Sequence, residues 1–303
     1  MQHVRLPVTA LRMTALSLPR FLSDGPSARK AWFKMRDTRW RSGAEASIVT
    51  DEPSDESQGS KMPSSAAYQI TPNLWRIPCA AFNFVNSYAL VDDDGQVTLV
   101  DTGMKSSVKR IRAGLRAMGK GTGDVTRIVL THAHGDHAGS AAQLVEEAKL
   151  PGVSIHETDA PFARDGHAPP RDPATSFGRM LNHTSNAFPA VLVAEEYTDG
   201  DLLPIAGGLR VHHTPGHTAG HASLLHEPTG VLITGDSIWN VRKMSYGVRA
   251  FCQDIKLNAR TAHVLGELDY SVAAFTHGPH VSDGARETVR GFLRDADAKG
   301  KNV

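Results

Sequence analysis

Four side chains of metal-ligand type fall within six residues in the run His132-Ala133-His134-Gly135-Asp136-His137. Burying three imidazoles and a carboxylate together without a partner is costly. A divalent cation removes that cost, because neutral imidazole nitrogen and carboxylate oxygen suit zinc, iron or manganese. His132 and His134 alternate around Ala133 and point the same way in an extended segment. Gly135 lets the chain turn, so Asp136 and His137 face a second position. Two ligand sets at one loop point to two metal ions. The competing explanation, a histidine-rich helix cap, does not account for so many ligands in so few residues.

Similar residues recur downstream. Thr214-Pro215-Gly216-His217-Thr218-Ala219-Gly220-His221 holds two histidines, Thr234-Gly235-Asp236 a carboxylate, and Thr276-His277-Gly278-Pro279-His280 two more histidines. Fourteen of the 15 histidines lie between His132 and His280, so the chemistry belongs to that part of the chain.

The elements that position these residues are legible from periodicity. Arg127–Leu130 is a short apolar strand running straight into His132. Leu209–His213, Val231–Thr234 and Val272–Phe275 are strands that lead into the other three motifs. Upstream, Tyr68–Ile77, Asn83–Val91 and Gln96–Val100 read as strands, the last two joined by the turn Asp92-Asp93-Asp94-Gly95. Val153–His156 and Ala222–Leu225 complete the strands. Ser106–Met118 places Val108, Ile111, Leu115 and Met118 on one helical face, and Ala138–Lys149 is a second amphipathic helix that ends at Pro151-Gly152. Leu257–Leu268 and Gly284–Ala296 read as helices. Residues 161–198 carry five prolines and little periodicity, which predicts a lid or substrate loop. Strands and helices in this alternation imply an α/β class with two sheets faced by helices.

These motifs, taken in order, resemble the metallo-β-lactamase superfamily over roughly Tyr68 to His280. The run His132-x-His134-x-Asp136-His137, followed by His217, Asp236 and His277, carries the resemblance. Asp101-Thr102-Gly103, after the strand Gln96–Val100, matches an upstream acidic motif. The resemblance implies a four-layer αβ/βα sandwich with the metal site at one edge of the two sheets. It implies that His132, His134 and His217 hold one ion, that Asp136, His137 and His277 hold the other, and that Asp236 bridges them. Such a centre lowers the pKa of water and polarises a carbonyl or phosphoryl oxygen. Asp136 would then be the catalytic group, binding metal and carrying the proton. Asp101 would orient a ligand histidine from behind, and His221 would either do the same or serve structure alone.

Departures narrow the activity. Asp236 stands where β-lactam-cleaving members would carry a cysteine, and no secretory signal is visible. Nucleic-acid-cutting members carry a large insertion before the last histidine, whereas 40 residues separate Asp236 from His277. The run Thr214–His221 looks like that of hydroxyacylglutathione hydrolases and acyl-homoserine lactonases. Only 26 residues follow His277, short of the helical domain usual in the former. The tyrosine that lactonases place soon after the bridging aspartate is matched only imperfectly by Ser237, Trp239 and Tyr246. The expected function is hydrolysis of a small ester, thioester or lactone with two divalent ions, zinc first and iron or manganese as alternatives. The alternatives are a mononuclear iron persulfide dioxygenase and a non-catalytic metal-binding scaffold.

The remaining histidines read more plainly. Either His212 or His213 lies in or beside the pocket, since they alternate on a strand, and neither is a ligand. His280 faces solvent. His156, His226 and His263 are ordinary surface or core residues. His167 and His183, in the proline-rich segment, are favoured as structural over substrate-contacting.

Composition sets the outer limits. Thirty-three Lys and Arg against 32 Asp and Glu give a net charge of +1, no footprint for nucleic acid. No run of about 18 apolar residues exists to span a bilayer. Cys79 and Cys252 cannot build a disulfide framework, which favours a reducing cytoplasm. The partner is a small-molecule substrate, and a homodimer stays open. Residues 67–303 read as one domain. Residues 1–66 read as a disordered leader or tail: nine basic residues and two acids in 1–42, then five acids in 43–60. A solvated tail, an organellar transit peptide and a true start at Met62 are its three explanations.

Overall fold

The computed structural model describes residues 65–184 and 187–299. Apart from residues 65 and 66, the stretch read as a leader lies outside the described residues.

The first sheet has seven strands in sequence order: β1 (Tyr68–Thr71), β2 (Leu74–Pro78), β3 (Asn86–Val91), β4 (Val97–Val100), β5 (Val125–Leu130), β6 (Val153–His156) and β7 (Val193–Tyr197). The first four run antiparallel and the last four, from β4 on, parallel. The single strand expected over Tyr68–Ile77 is a hairpin, broken at Pro72-Asn73, because proline has no N–H to give a ladder. The parallel half is crossed over by α1 (Val108–Ala117), α2 (Ala141–Ala148) and α3 (Ala160–Asp165).

The proline-rich segment is more ordered than its composition predicts. Besides α3 and β7 it contains α4 (Ser176–Thr184), which starts where the Thr175 hydroxyl accepts the Gly178 N–H at 2.9 Å, a capping interaction.

The second sheet begins with β8 (Leu202–Leu203), β9 (Leu209–His213), β10 (Ala222–His226) and β11 (Val231–Ile233). A small hairpin, β12 (Trp239–Asn240) and β13 (Met244–Ser245), follows. Next come α5 (Ile255–Thr261) and α6 (Val264–Glu267), then β14 (Val272–Ala274), which pairs parallel to β11, and finally α7 (Ala285–Ala298). The helix expected over Leu257–Leu268 is therefore two, parted just after Thr261, whose hydroxyl donates to the Pro215 carbonyl at 2.7 Å. Asp254 caps α5 by accepting the N–H groups of Lys256 and Leu257 at 2.9 Å.

Period-two alternation sorts these strands into layers. Tyr88, Leu90, Val100 and Val129 meet Val211, Leu224, Ile233 and Ala274 in a core between the sheets. Their sequence neighbours Ala89, Leu99 and Ile128 face the other way, onto Ile111, Leu115 and Leu144 of α1 and α2. On the far side Leu232 and Ala273 pack against Leu265, Val289 and Leu293. Helices, sheet, sheet and helices make the four-layer αβ/βα sandwich.

The two sheets are also stitched along one edge. The Asn86 N–H donates to Thr276 O at 2.8 Å, the Tyr88 hydroxyl to Phe275 O at 2.6 Å, and the Ala222 N–H to Thr131 O at 3.0 Å. The chain leaves β5, β9, β11 and β14 at this edge, the end of an α/β sheet where ligand groups usually gather.

Candidate metal centre

Asp101 sits under the first loop. Its backbone is left-handed, with φ +59°, and its side chain is fully buried. One carboxylate oxygen accepts the Thr131 N–H at 2.8 Å. The other accepts the Thr131 hydroxyl and His137 Nδ1, each at 2.8 Å. The Thr131 oxygen in turn lies 3.1 Å from His132 Nδ1. With its proton given to Asp101, it can only accept there. His277 Nδ1 donates to the Phe84 carbonyl at 2.6 Å. Three imidazoles thus have Nδ1–H tied down behind them, which leaves an Nε2 lone pair on each.

Nε2 of His132 is buried and makes no hydrogen bond, which costs about 1–3 kcal/mol, while Nε2 of His137 and of His277 faces the Asp236 carboxylate. His134 is turned the other way and brings Nδ1 to 2.9 Å from His217 Nε2. The donor atoms of His132, His134 and His217 lie within 4.8 Å of one another, as do those of Asp136, His137 and His277. Asp236 touches both groups: Oδ2 is 3.2 Å from His217 Nε2 and 3.2 Å from His277 Nε2, and Oδ1 is 3.3 Å from His137 Nε2. Oriented imidazoles, orphaned nitrogens and a shared carboxylate fit a divalent metal centre.

The electrostatics divide the cluster. Burial and neighbouring imidazoles hold His132 and His134 well below the usual histidine range, and burial takes His217 down to about 4. These three are neutral donors. Burial also opposes charge on His137 and His277, but Asp236 and the other nearby carboxylates overcome it and raise both. Against its own burial, Asp236 is kept ionised by His277, His137 and His217.

The supports are specific. Asp236 Oδ1 accepts the Thr276 hydroxyl at 2.7 Å, and its backbone N–H donates to His221 Nε2 at 2.8 Å. His221 Nδ1 donates to Thr214 O at 3.0 Å, and burial pushes its pKa down to about 3. Gly235, with φ +54°, is required here, since a Cβ would stand 2.4 Å from His221 Nε2.

A cavity of about 280 Å³ opens onto the cluster. His134, Asp136, His217, Asp236 and His277 of the cluster line it, together with Phe84, Trp239, Phe251 and Arg171. The Trp239 ring lies 4.1 Å from that of His277, and Phe84 meets the same imidazole edge-on at 5.4 Å. Unlike the other acids, Asp136 is partly open, with 37% of its side chain exposed.

The structure therefore brings together all seven side chains named from the sequence as ligands, with Asp101 and His221 behind them. The lesser histidines go elsewhere. His213 stacks on His156 at 4.2 Å and bonds the Ala219 carbonyl. It does not line the cavity, and neither does His212, because both belong to β9 before the chain turns into the site. His280 is half-buried rather than facing solvent, near Arg76, which lowers its pKa further after burial. His226 bonds Thr229 and Ala206, and His263 pairs with Asp297 at 3.2 Å. His167 and His183 are exposed and line no part of the cavity.

Sequence reasoning missed Asp159. Fully buried, it accepts the N–H groups of Ala133 and Gly220 at 3.0 and 2.8 Å and the Thr218 hydroxyl at 2.8 Å. It thereby ties the first histidine loop to the second. The only signal was its place just after a strand, in Glu157-Thr158-Asp159. Arg171, Phe84 and Phe251 of the cavity had no local signal.

A model of the metallo-beta-lactamase superfamily matches residues 80–277. The chain is 36% identical over 155 residues to the protein YobT of Bacillus subtilis (strain 168), covering 50% of this chain and 61% of that one. It is 28% identical over 169 residues to a hydroxyacylglutathione hydrolase of Klebsiella pneumoniae, covering 55% and 52%. The match thus spans a little over half the length of either relative. A solved metallo-beta-lactamase family protein of Thermus thermophilus superimposes with a TM-score of 0.59 at 27% identity, covering 76% of this chain and 81% of that one.

Proposed function

Because the chain belongs to the metallo-β-lactamase superfamily, we propose that it is a metal-dependent hydrolase of a small carbonyl ester, thioester or lactone. One observation carries the reading: two groups of converging ligand atoms with Asp236 in contact with both. His132, His134 and His217 would hold one divalent ion and Asp136, His137 and His277 a second, with zinc the best match to imidazole and carboxylate donors. Bound there, the ions would polarise a carbonyl oxygen and lower the pKa of water toward neutrality.

The chain's own groups do the rest. Asp136 and Asp236 both line the cavity, and Asp136 is the more exposed, 37% against 2%, so it is placed to take a proton from water and return it to the leaving group. Asp101 and the Phe84 carbonyl fix the tautomers of His137 and His277. Thr276 holds the Asp236 carboxylate, and His221 holds its backbone N–H. Phe84 and Trp239 supply an apolar wall for the acyl group and exclude water. The two free cysteines, both buried, suit a reducing cytoplasm.

The test is elemental analysis of the loaded full chain with a screen of esters, thioesters and lactones. About two ions per chain and turnover of one of these classes are expected. A single iron with oxygen-dependent turnover of a persulfide would replace this reading with the dioxygenase. Full metal loading without any turnover would leave only a scaffold.

A further inference from the structure

His217 has sulfur behind it. Its Nδ1 lies 3.4 Å from Cys252 Sγ, where His137 has a carboxylate, His132 a hydroxyl and His277 a main-chain carbonyl. The thiol has a direction. Its S–H points to the Val248 carbonyl, 3.6 Å away, and a thiol has one proton to give. Toward His217 the sulfur can therefore only accept. Nδ1 carries the hydrogen, and Nε2 keeps its lone pair.

That tautomer is the one the cluster needs. His217 Nε2 lies 2.9 Å from His134 Nδ1. Both belong to a group whose third member, His132, holds its Nε2 buried and without a partner. An orphaned nitrogen aimed into the group marks the place of an ion, and His217 can join it only through an unprotonated Nε2.

Cys252 is itself held in place. It is fully buried and does not line the cavity. Its N–H donates to Arg249 O at 3.1 Å, and its carbonyl accepts the Asp172 N–H at 2.7 Å. The next two residues bond the histidine loop directly. The Gln253 N–H donates to His217 O at 2.9 Å, and the Asp254 N–H donates to Gly216 O at 2.8 Å. A Cβ on Gly216 would stand 2.0 Å from Asn258 N, so the loop is pressed against α5. Main chain and side chain of His217 are thus both tied to the same short segment, residues 252–254.

We propose that Cys252 is a positioning residue of the metal centre: its sulfur accepts the Nδ1–H of His217, fixes the tautomer and ring of that histidine, and so presents Nε2 to the ion shared with His132 and His134. This rests on the metal-centre part of the reading above and is independent of the substrate.

Cobalt(II) is the probe, added to the metal-free full chain and to Cys252→Ser, Cys252→Ala and Cys252→Val. Affinity is read by competition with a chelator and coordination by visible absorption. Serine keeps an acceptor, alanine drops it at nearly the same size, and valine drops it while filling the space. Alanine and valine both bind cobalt about ten- to hundredfold more weakly than wild type, the range for groups behind a ligand, with altered visible bands. Serine recovers most of the affinity. Urea unfolding of the metal-free proteins ranks differently, with valine above alanine because it leaves less of a cavity. A packing role alone would rank cobalt affinity as it ranks stability, with valine near wild type, and would overturn the proposal. So would serine no better than alanine. A wild-type chain that takes up no cobalt would overturn the metal-centre reading and this proposal with it. Full loading without turnover of any ester would sink the hydrolase reading alone and leave the role of Cys252 standing.

Discussion

His221 holds the main chain of Asp236 at 2.8 Å, ring nitrogen to backbone N–H, while its own Nδ1–H is spent on the Thr214 carbonyl. It reaches the carboxylate that touches both ligand groups only through the backbone. It is a positioning residue, the first of the two roles its sequence left open. His221→Phe keeps a ring of similar size and removes the acceptor. Metal affinity should fall about ten- to hundredfold, the range for groups behind a ligand, as read by competition with a chelator. Unchanged affinity would mean that Thr276 alone suffices to hold Asp236.

Asp136 and Asp101 invite a paired experiment. Asp136→Asn keeps the size and one oxygen donor but loses the base, so kcat on the best substrate should drop about a hundredfold or more, with the ion held by His132, His134 and His217 retained. Asp101→Asn touches no substrate and should cost activity about ten- to hundredfold. It should also lower stability, since a buried acceptor of three hydrogen bonds is replaced by an amide that fits at most two. Near-normal turnover in Asp136→Asn with none in Asp101→Asn would invert the two roles.

Asp159 joins two loops that are 87 residues apart, from Ala133 to Gly220. Asp159→Ala leaves three buried donors without an acceptor and should destabilise the fold by about 2–4 kcal/mol. Urea unfolding measures this. Asp159→Asn should recover part of the loss. The two variants falling together, with no rescue by asparagine, would point to packing rather than to the hydrogen bonds.

Acid sensitivity follows from His156. Burial, with His213 stacked on it, takes its pKa to about 4, while Asp199 and Asp201 pull weakly the other way. In the unfolded chain it titrates near the ordinary 6.5. Between these values the unfolded state holds a proton that the native state lacks, so stability falls as pH drops from 6.5 toward 4. His156→Phe removes this contribution. Urea midpoints of metal-free protein at pH 7.5 and pH 5 should lie closer together in the variant than in wild type. An equal spread would show that His156 titrates alike in both states.

The sequence was most legible where local period and chemistry agreed. β5 running into His132, and β9, β11 and β14 running into their motifs, could be read because strand and ligand adjoin in the chain. Val108, Ile111 and Leu115 announced α1 and do bury one face. What escaped was set at a distance. Nothing near Arg171 says that it will line the same cavity as Asp136. Nothing near Asp159 says that Ala133 and Gly220 will converge on its carboxylate. Residues 161–198 read as irregular because prolines dominate the count, yet one Thr175 cap is enough to start α4. His212 and His213 show the limit of alternation: it separates two faces of a strand but does not say whether either meets the cavity, and neither does.

The stitch between Asn86 and Phe275 joins residues 189 positions apart, and that between Tyr88 and Phe275 spans 187. Both fasten the strand end that delivers His277. During synthesis on a ribosome the chain therefore exposes His132, His134 and Asp136 long before the segment that completes their company has been translated. Closing loops of that length is slow, and it comes last. The three residues emerge without the His277 that β14 delivers, and the cluster is whole only once that strand has docked.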